Sequence, residues 1–389
     1  MRYSRITTAA LFTLGCLFFT SCFKDEPLNA ECDIEQAYIH TDKPTKMFEN
    51  ITDTLVKVQS NETNITFTMK VSADITKLAP QFRLTPGATI SPESGSIQDF
   101  SQGPVTYVVT SEDKNWTRTY TVSVKNLLTI KDKLTCDFET SSLINNKYYT
   151  WLEPWDEGDG NFSNIGIWAT GNPGFNISNG SAKPDEYPTA PDKDGYDGAC
   201  VKLTTCRTSK LADMVKKPIA AGNLFIGSFD PQNALQDAMK ATKFGRPFSF
   251  ISKPVTFSGY YKYLPGETYT DKNMNVLDAQ DKGTIYAVLY DNHDTAGNAI
   301  VLYGDNVQTS EQVVALAILP DIDKTTTWTP FNINFVYKKD IDGKKLKNGG
   351  YSLAIVCSSS TKGAEFMGAV GSTLWIDKFS ITCENNNNN

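Results

Sequence analysis

Short apolar runs of period two, broken by turn residues, recur along this chain, and no long stretch keeps the 3.6-residue period of a helix. Side chains of a strand alternate between its two faces, so such runs bury one face and wet the other. Ile65, Phe67, Met69 and Val71 alternate in this way with Thr66, Thr68 and Lys70, and Val255, Phe257, Gly259 and Tyr261 share one face of another run. Further strand-like runs lie at 136–138, 199–203, 284–289, 313–318, 331–337, 351–356 and 374–382. Pro86-Gly87 and Ser94-Gly95 mark turns. Runs 105–110 and 116–124 flank a Ser-Glu-Asp-Lys-Asn segment as the arms of a hairpin would. Residues 231–240, opening on Pro231, leave room for a short helix. Phe244-Gly-Arg-Pro-Phe248 reads as a sharp bend, because Gly frees the backbone and Pro fixes it. The expected fold class is therefore all-β.

The chain has 389 residues, 40% of them hydrophobic, enough for two cores. Residues 33–126, with short strands at regular spacing, suggest an immunoglobulin-like sandwich. Residues 127–134 read as a linker, and 135–384, with more strands, as a larger two-sheet jelly roll. The five asparagines at 385–389 offer nothing to bury and are expected to form a disordered tail. At the other end, Arg2 and Arg5 precede an apolar run from Ala9 to Phe19 and then Phe19-Thr-Ser-Cys22. A basic start and a short apolar core make 1–21 a secretory signal, too short for a mature membrane span. Cys22 follows small residues as the acylated cysteine of a lipobox does, with Cys16 the weaker alternative inside the apolar core. Residues 22–32 are then a tether. Lys24-Asp25-Glu26 resembles the export tag of lipoproteins on the outer face of Gram-negative bacteria. The expected address is the outer membrane, exposed at the cell surface.

The formal net charge is −7, and −9 without residues 1–21, which carry two arginines and no acid. That argues against a nucleic-acid partner, which needs a basic face. Cys32, Cys136, Cys200, Cys206, Cys357 and Cys383 remain after Cys16 and Cys22, and their spacing leaves connectivity open. Cys200 and Cys206, if on one strand, lie about 20 Å apart and do not bond. Cys136 and Cys383 flank the large domain and come together if its end strands pair. No close Cys/His pairs have zinc spacing.

Several segments carry a family resemblance: Ala221-Gly-Asn-Leu-Phe225, the bend at 244–248, Lys253-Pro254, Gly259-Tyr-Tyr-Lys-Tyr263 ahead of Pro265-Gly266, IWATGNPG at 167–174, and SSSTKGAEFMGAVGSTLWIDKFSI at 358–381. In this order they resemble the putative carbohydrate metabolism domain family of bacterial lipoproteins. The resemblance spans about 250 residues, one domain in length. It implies a jelly roll like that of carbohydrate-binding modules and a connection to sugars, without fixing a reaction.

The residues themselves favour binding over catalysis. His40 and His293 lie in different domains without a signature around either, and no G-x-S-x-G elbow is present. Ser358-Ser-Ser-Thr361 fits a strand end whose hydroxyls satisfy backbone groups. A glycosidase needs two carboxyls about 5–9.5 Å apart. Glu153, Asp156, Glu157 and Asp159 form one acidic group and Asp321 with Asp323 another. Asp192, Asp194 and Asp197 sit among glycines as a weak candidate for structural Ca²⁺, although the later bidentate Glu of an EF-hand is missing; no other cofactor is indicated. Sugar sites combine aromatic faces with a few polar groups. Tyr148-Tyr-Thr-Trp-Leu-Glu-Pro-Trp155 and Trp168-Ala-Thr-Gly-Asn-Pro-Gly-Phe175 have that mixture and look loop-like. Trp155, Asp156, Trp168, Asn172, Tyr260 and Tyr261 are thus the carbohydrate-binding candidates, with Trp168 alternatively a core anchor. The leading expectation is a lipid-anchored envelope protein that binds a glycan through its C-terminal jelly roll. The alternatives are a glycoside-active enzyme using a carboxylate pair and a structural or adhesive surface module.

Overall fold

The computed structural model describes residues 27–48, 51–70, 73–101, 103–156, 162–320 and 322–384. The expected signal sequence at 1–21, Cys22 and the expected tail at 385–389 lie outside the described residues. The protein is all-β.

The N-terminal unit is a sandwich of an antiparallel sheet and a mixed one, in which Asn64–Met69 runs parallel to Thr117–Asn126, with the Thr121 and Leu127 amides donating to the Thr63 and Met69 carbonyls. One runs in the order Leu55–Lys57, Ile34–Ile39, Pro80–Leu84; the other runs Asn64–Met69, Thr117–Asn126, Val105–Thr110, Thr89–Ser91. The expected hairpin is present, with Thr110 opposite Thr117. The rings of Phe82 and Tyr107, one from each sheet, pack 4.7 Å apart. The Tyr120 hydroxyl donates to Asp33 and accepts from the Ile34 amide, each at 3.1 Å, which ties the first strand to the second sheet.

The larger unit is built on two more sheets. A nine-stranded sheet has the central order Asn223–Phe229, Tyr351–Ser358, Thr284–Asp291, Val313–Ile318. A six-stranded sheet has the order Thr189–Asp192, Cys200–Thr204, Thr373–Cys383, Pro254–Leu264, Thr325–Asn334. Leu224, Ile226, Ile285 and Ile355 of the first share one core with Val201, Phe257, Leu374 and Ile376 of the second. Period two then fixes what points outward, because each neighbour of these residues faces the other way. At the core's centre the rings of Phe138, Phe257, Phe331 and Phe379 meet edge to face. Gly259 is a glycine because a Cβ there would stand 2.4 Å from the Phe379 ring.

The bend at 244–248 is present, with Gly245 at φ +90° between Thr242–Phe244 and Arg246–Phe250. Residues 231–240 hold helical turns, capped at Pro231–Gln236 by Asp230 and at Ala238–Ala241 by Asp237. Two expectations need correction. The stretch 127–134 is no free linker: Leu128–Ile130 pairs in parallel with Arg246–Phe250, and Lys133–Cys136 pairs with Thr373–Cys383. Its alternating leucines and isoleucine are strand chemistry, buried in the large core. The segment at 148–155 is likewise no loop but the strand Tyr148–Asp156, since its run of aromatic and β-branched residues favours extended backbone. The end strands of the large domain do pair, yet Cys136 lies opposite Phe379, four residues from Cys383. Both cysteines are free, as are Cys200 and Cys206. Among the described residues no helix is long and apolar enough to cross a membrane.

Candidate functional site

The outward face of the six-stranded sheet carries one cross-strand row. Trp375 lies opposite Lys202 on one side and Lys262 on the other. The Lys262 ammonium sits 4.7 Å from the Trp328 ring centroid and 5.1 Å from that of Trp375. The result is Lys202, Trp375, Lys262, Trp328 in sequence across four neighbouring strands. Strand register brings together residues far apart in the chain, and cation–π attraction holds them. Tyr260 extends the row, stacked on Tyr196 with ring centroids 3.6 Å apart, and Tyr196 meets Trp328 edge-on at 6.5 Å. Tyr196 is exposed and the two tryptophans are half-buried.

Carboxylates border the row. The Trp375 indole N–H donates to Asp192 at 3.0 Å. Burial opposes the charge on Asp192, but the bonds from Trp375 and the Asp194 amide outweigh it and hold the carboxyl below its ordinary range. Asp377 accepts from the amides of Tyr196 and Asp197, which fixes the loop that carries Tyr196. Asp197 pairs with Lys378 at 3.4 Å. Asp192 and Asp197 are thus engaged by protein donors. Among the described residues no three His, Cys, Asp or Glu side chains, Asp192, Asp194 and Asp197 included, gather closely enough to hold a metal ion between them.

The other sugar candidates scatter. Trp155 and Asp156 end the Tyr148–Asp156 strand, paired with Ser163 and Phe162, and their side chains lie outside the described residues, as do Glu157 and Asp159. Trp168 is 6% exposed and anchors the core, its indole donating to Glu153 at 2.7 Å. Glu153 is itself buried and also accepts from the Asp137 amide. Burial pushes its pKa up to about 8, against the pull of those two bonds. Asn172 is buried, bonding the Thr189 backbone through both ends of its amide. Tyr261 points inward and packs on the core beside Phe331. Of the six, Tyr260 alone has a side chain placed in the aromatic row. Trp328 and Trp375 were missed, although Trp328 carries a signal: at the start of Thr325–Asn334 it stands among four threonines, three positions before the inward-facing Phe331.

A different site lies on the outward face of the nine-stranded sheet. Phe225, Val356 and Tyr286 are register neighbours there, and so are Asn223, Ser358 and Thr284 one step along. They line a cavity of ≈ 780 Å³, which the short helices Asn172–Ser178, Lys210–Met214, Pro231–Gln236 and Ala238–Ala241 also border. Segments 171–175, 223–225 and 358–366, distant in the chain, converge on it. Among the described residues Asp305 is its one lining carboxylate, held by Lys240 at 2.7 Å. Beside the cavity, Ser360 and Ser372 donate to the buried Asp281 at 2.6 and 2.7 Å, and Thr205 bridges Ser359 and Ser360. Ser358, Ser359 and Thr361 donate to the carbonyls of Ser360, Gly222 and Lys282, satisfying backbone groups as expected from their sequence, while Ser360 serves Asp281 instead.

Comparison with known proteins adds the following. A family model described as "Putative carbohydrate metabolism domain" matches residues 137–382, and one described as "SGBP, N-terminal" matches 47–124. No curated protein matches the chain. A solved structure described as a putative glycoside hydrolase from Bacteroides thetaiotaomicron VPI-5482 is 36% identical, covering 93% of this chain and 99% of that one, with a TM-score of 0.62. Another, described in the same words and from Bacteroides vulgatus ATCC 8482, is 35% identical over 65% of this chain and 99% of its own, with a TM-score of 0.58.

Proposed function

Because the chain belongs to the putative carbohydrate metabolism domain family, we propose that it is a glycan-binding protein of the cell surface, holding its ligand on the aromatic row of the six-stranded sheet. The observation that carries this reading is the alternation Lys202, Trp375, Lys262, Trp328, with Tyr260 and Tyr196 beside it. Sugar rings stack their C–H faces on flat aromatics, while their hydroxyls need donors and acceptors close by. Two lysines and Asp192 stand within the row's reach and supply both. The cavity suits a bare glycan less well. Each sugar hydroxyl left unpaired against its apolar walls costs about 1–3 kcal/mol.

The alternative of a glycosidase has less support. A carboxyl pair must converge on one bond, and the cavity offers Asp305 alone, already paired with a lysine. Glu153 is in the core. The surface address is supported by the match of residues 47–124 to a domain named for surface glycan-binding proteins. The lipobox-like Phe19-Thr-Ser-Cys22 supports a lipid anchor at Cys22.

Two experiments test this reading. A glycan array with the full chain identifies a ligand, and titration of Trp375→Ala and Trp328→Ala then weighs the row. Loss of one aromatic anchor is expected to weaken binding about thirtyfold, or ~2 kcal/mol, with little change in melting temperature. Unchanged affinity in both variants would remove the row from the site. For the anchor, Cys22→Ala should move the protein from the membrane fraction to the soluble one, and an unaltered distribution would refute lipidation there.

A further inference from the structure

We infer that the cavity on the nine-stranded sheet is a separate binding site for an uncharged amphiphile, a single alkyl chain on a hydroxyl-bearing head. The inference goes beyond the glycan reading, because the shared core separates the two outward faces.

Strand register gives the cavity two chemistries. The row Phe225, Val356, Tyr286 is apolar and aromatic, while the adjoining row Asn223, Ser358, Thr284 offers an amide and two hydroxyls. An apolar site with a few grouped polar side chains is the ordinary make-up of a small-molecule pocket, and ≈ 780 Å³ is within the usual range. The apolar lining continues through Phe229 and Met239 to Ile177, Leu211 and Val215. Those last three are 49%, 72% and 63% exposed, so the lining extends from the sheet to solvent, as a chain requires and a compact ring does not.

The charges present argue for a neutral ligand. Lys217 donates to the Ala234 carbonyl at 2.8 Å and stands over the Phe366 ring, and Asp305 is paired with Lys240. A charged head would have to displace one of these partners, whereas a neutral hydroxyl bonds Thr284 and shares Asn223, whose Oδ1 accepts from the Gly171 amide at 2.7 Å, and Ser358, which donates to the Ser360 carbonyl at 3.0 Å. The cavity is also where three of the segments with family resemblance come together, so its lining is not an accident of one loop.

The test uses the full chain carrying Cys22→Ala, which needs no detergent. N-phenyl-1-naphthylamine, a neutral apolar fluorophore, reports occupancy, and 1-monodecanoylglycerol competes with it below its aggregation concentration. Saturable one-to-one binding is expected, with displacement by monodecanoylglycerol at least tenfold more effective than by decanoate or glycerol. Ala212→Trp, on the exposed Lys210–Met214 helix, fills the cavity and should weaken fluorophore binding at least tenfold. Leu211→Asp should weaken it severalfold at the apolar approach. Glycan affinity at the aromatic row should be unchanged in both, which separates failure of this inference from failure of the glycan reading. Absence of saturable binding, equal competition by decanoate, or indifference to both substitutions would overturn the inference.

Discussion

Trp168→Ala is expected to cost the large domain about 3–5 kcal/mol, the usual penalty for emptying a large aromatic site in a core. Trp168 packs 5.3 Å from Phe138 and donates its indole N–H to Glu153. The substitution therefore removes volume and strips a buried carboxyl of one of its donors. Trp168→Phe keeps most of the volume and should cost clearly less, leaving the loss of the donor as the main effect. Urea denaturation of the three proteins measures both. Glycan affinity of the folded variants should stay within twofold of the parent. A stable Trp168→Ala with weakened glycan binding would restore Trp168 as a ligand contact and sink the core assignment.

Raising the pH from 5 to 8.5 is expected to weaken the same domain by up to about 4 kcal/mol. Glu153 ordinarily ionises near 4.5, and in the fold burial raises it to about 8. Between those values the folded chain keeps a proton that the unfolded chain releases. The stabilisation is therefore present in full below about 4.5 and is lost as the pH rises through about 8. Each tenfold gain in proton affinity on folding is worth about 1.4 kcal/mol. Asp281 and Asp377 are also raised by burial and act in the same direction. Asp192 is lowered, so its contribution is present above the ordinary carboxylate range and fades only as the pH falls below it. Urea midpoints across this range measure the slope, and Glu153→Gln should flatten it. A slope that Glu153→Gln leaves intact would show that another group carries it.

What could be read from the sequence follows from where the information sits. The inward faces of Pro254–Leu264 and Thr373–Cys383 are written as local alternation, so the all-β class and most of the core were legible. The aromatic row is not local. Lys202, Lys262, Trp328 and Trp375 become neighbours only through the register of four strands, and nothing around any one of them announces the other three. Trp168 and Asn172 were over-read for the converse reason. Their Gly/Pro-rich surroundings look exposed, but Glu153 and the Thr189 backbone, fifteen and seventeen residues away, supply the buried partners. The cavity stayed hidden because its two rows belong to strands whose residues face solvent or core according to pairing, which alternation alone does not assign.

The pairing of Lys133–Cys136 with Thr373–Cys383 has a topological consequence. Lys133 lies opposite Thr382, so the strands Lys133–Cys136 and Thr373–Cys383 run antiparallel with their outer ends side by side. Closely placed ends are what makes rearranged connectivity tolerable. A circular permutant that joins Glu384 to Lys133 through a few glycines, and opens the chain at the exposed Ala296-Gly297 turn, would keep the strands from Lys133 to Cys383 in their present places and give up only Leu128–Ile130 beside Arg246–Phe250.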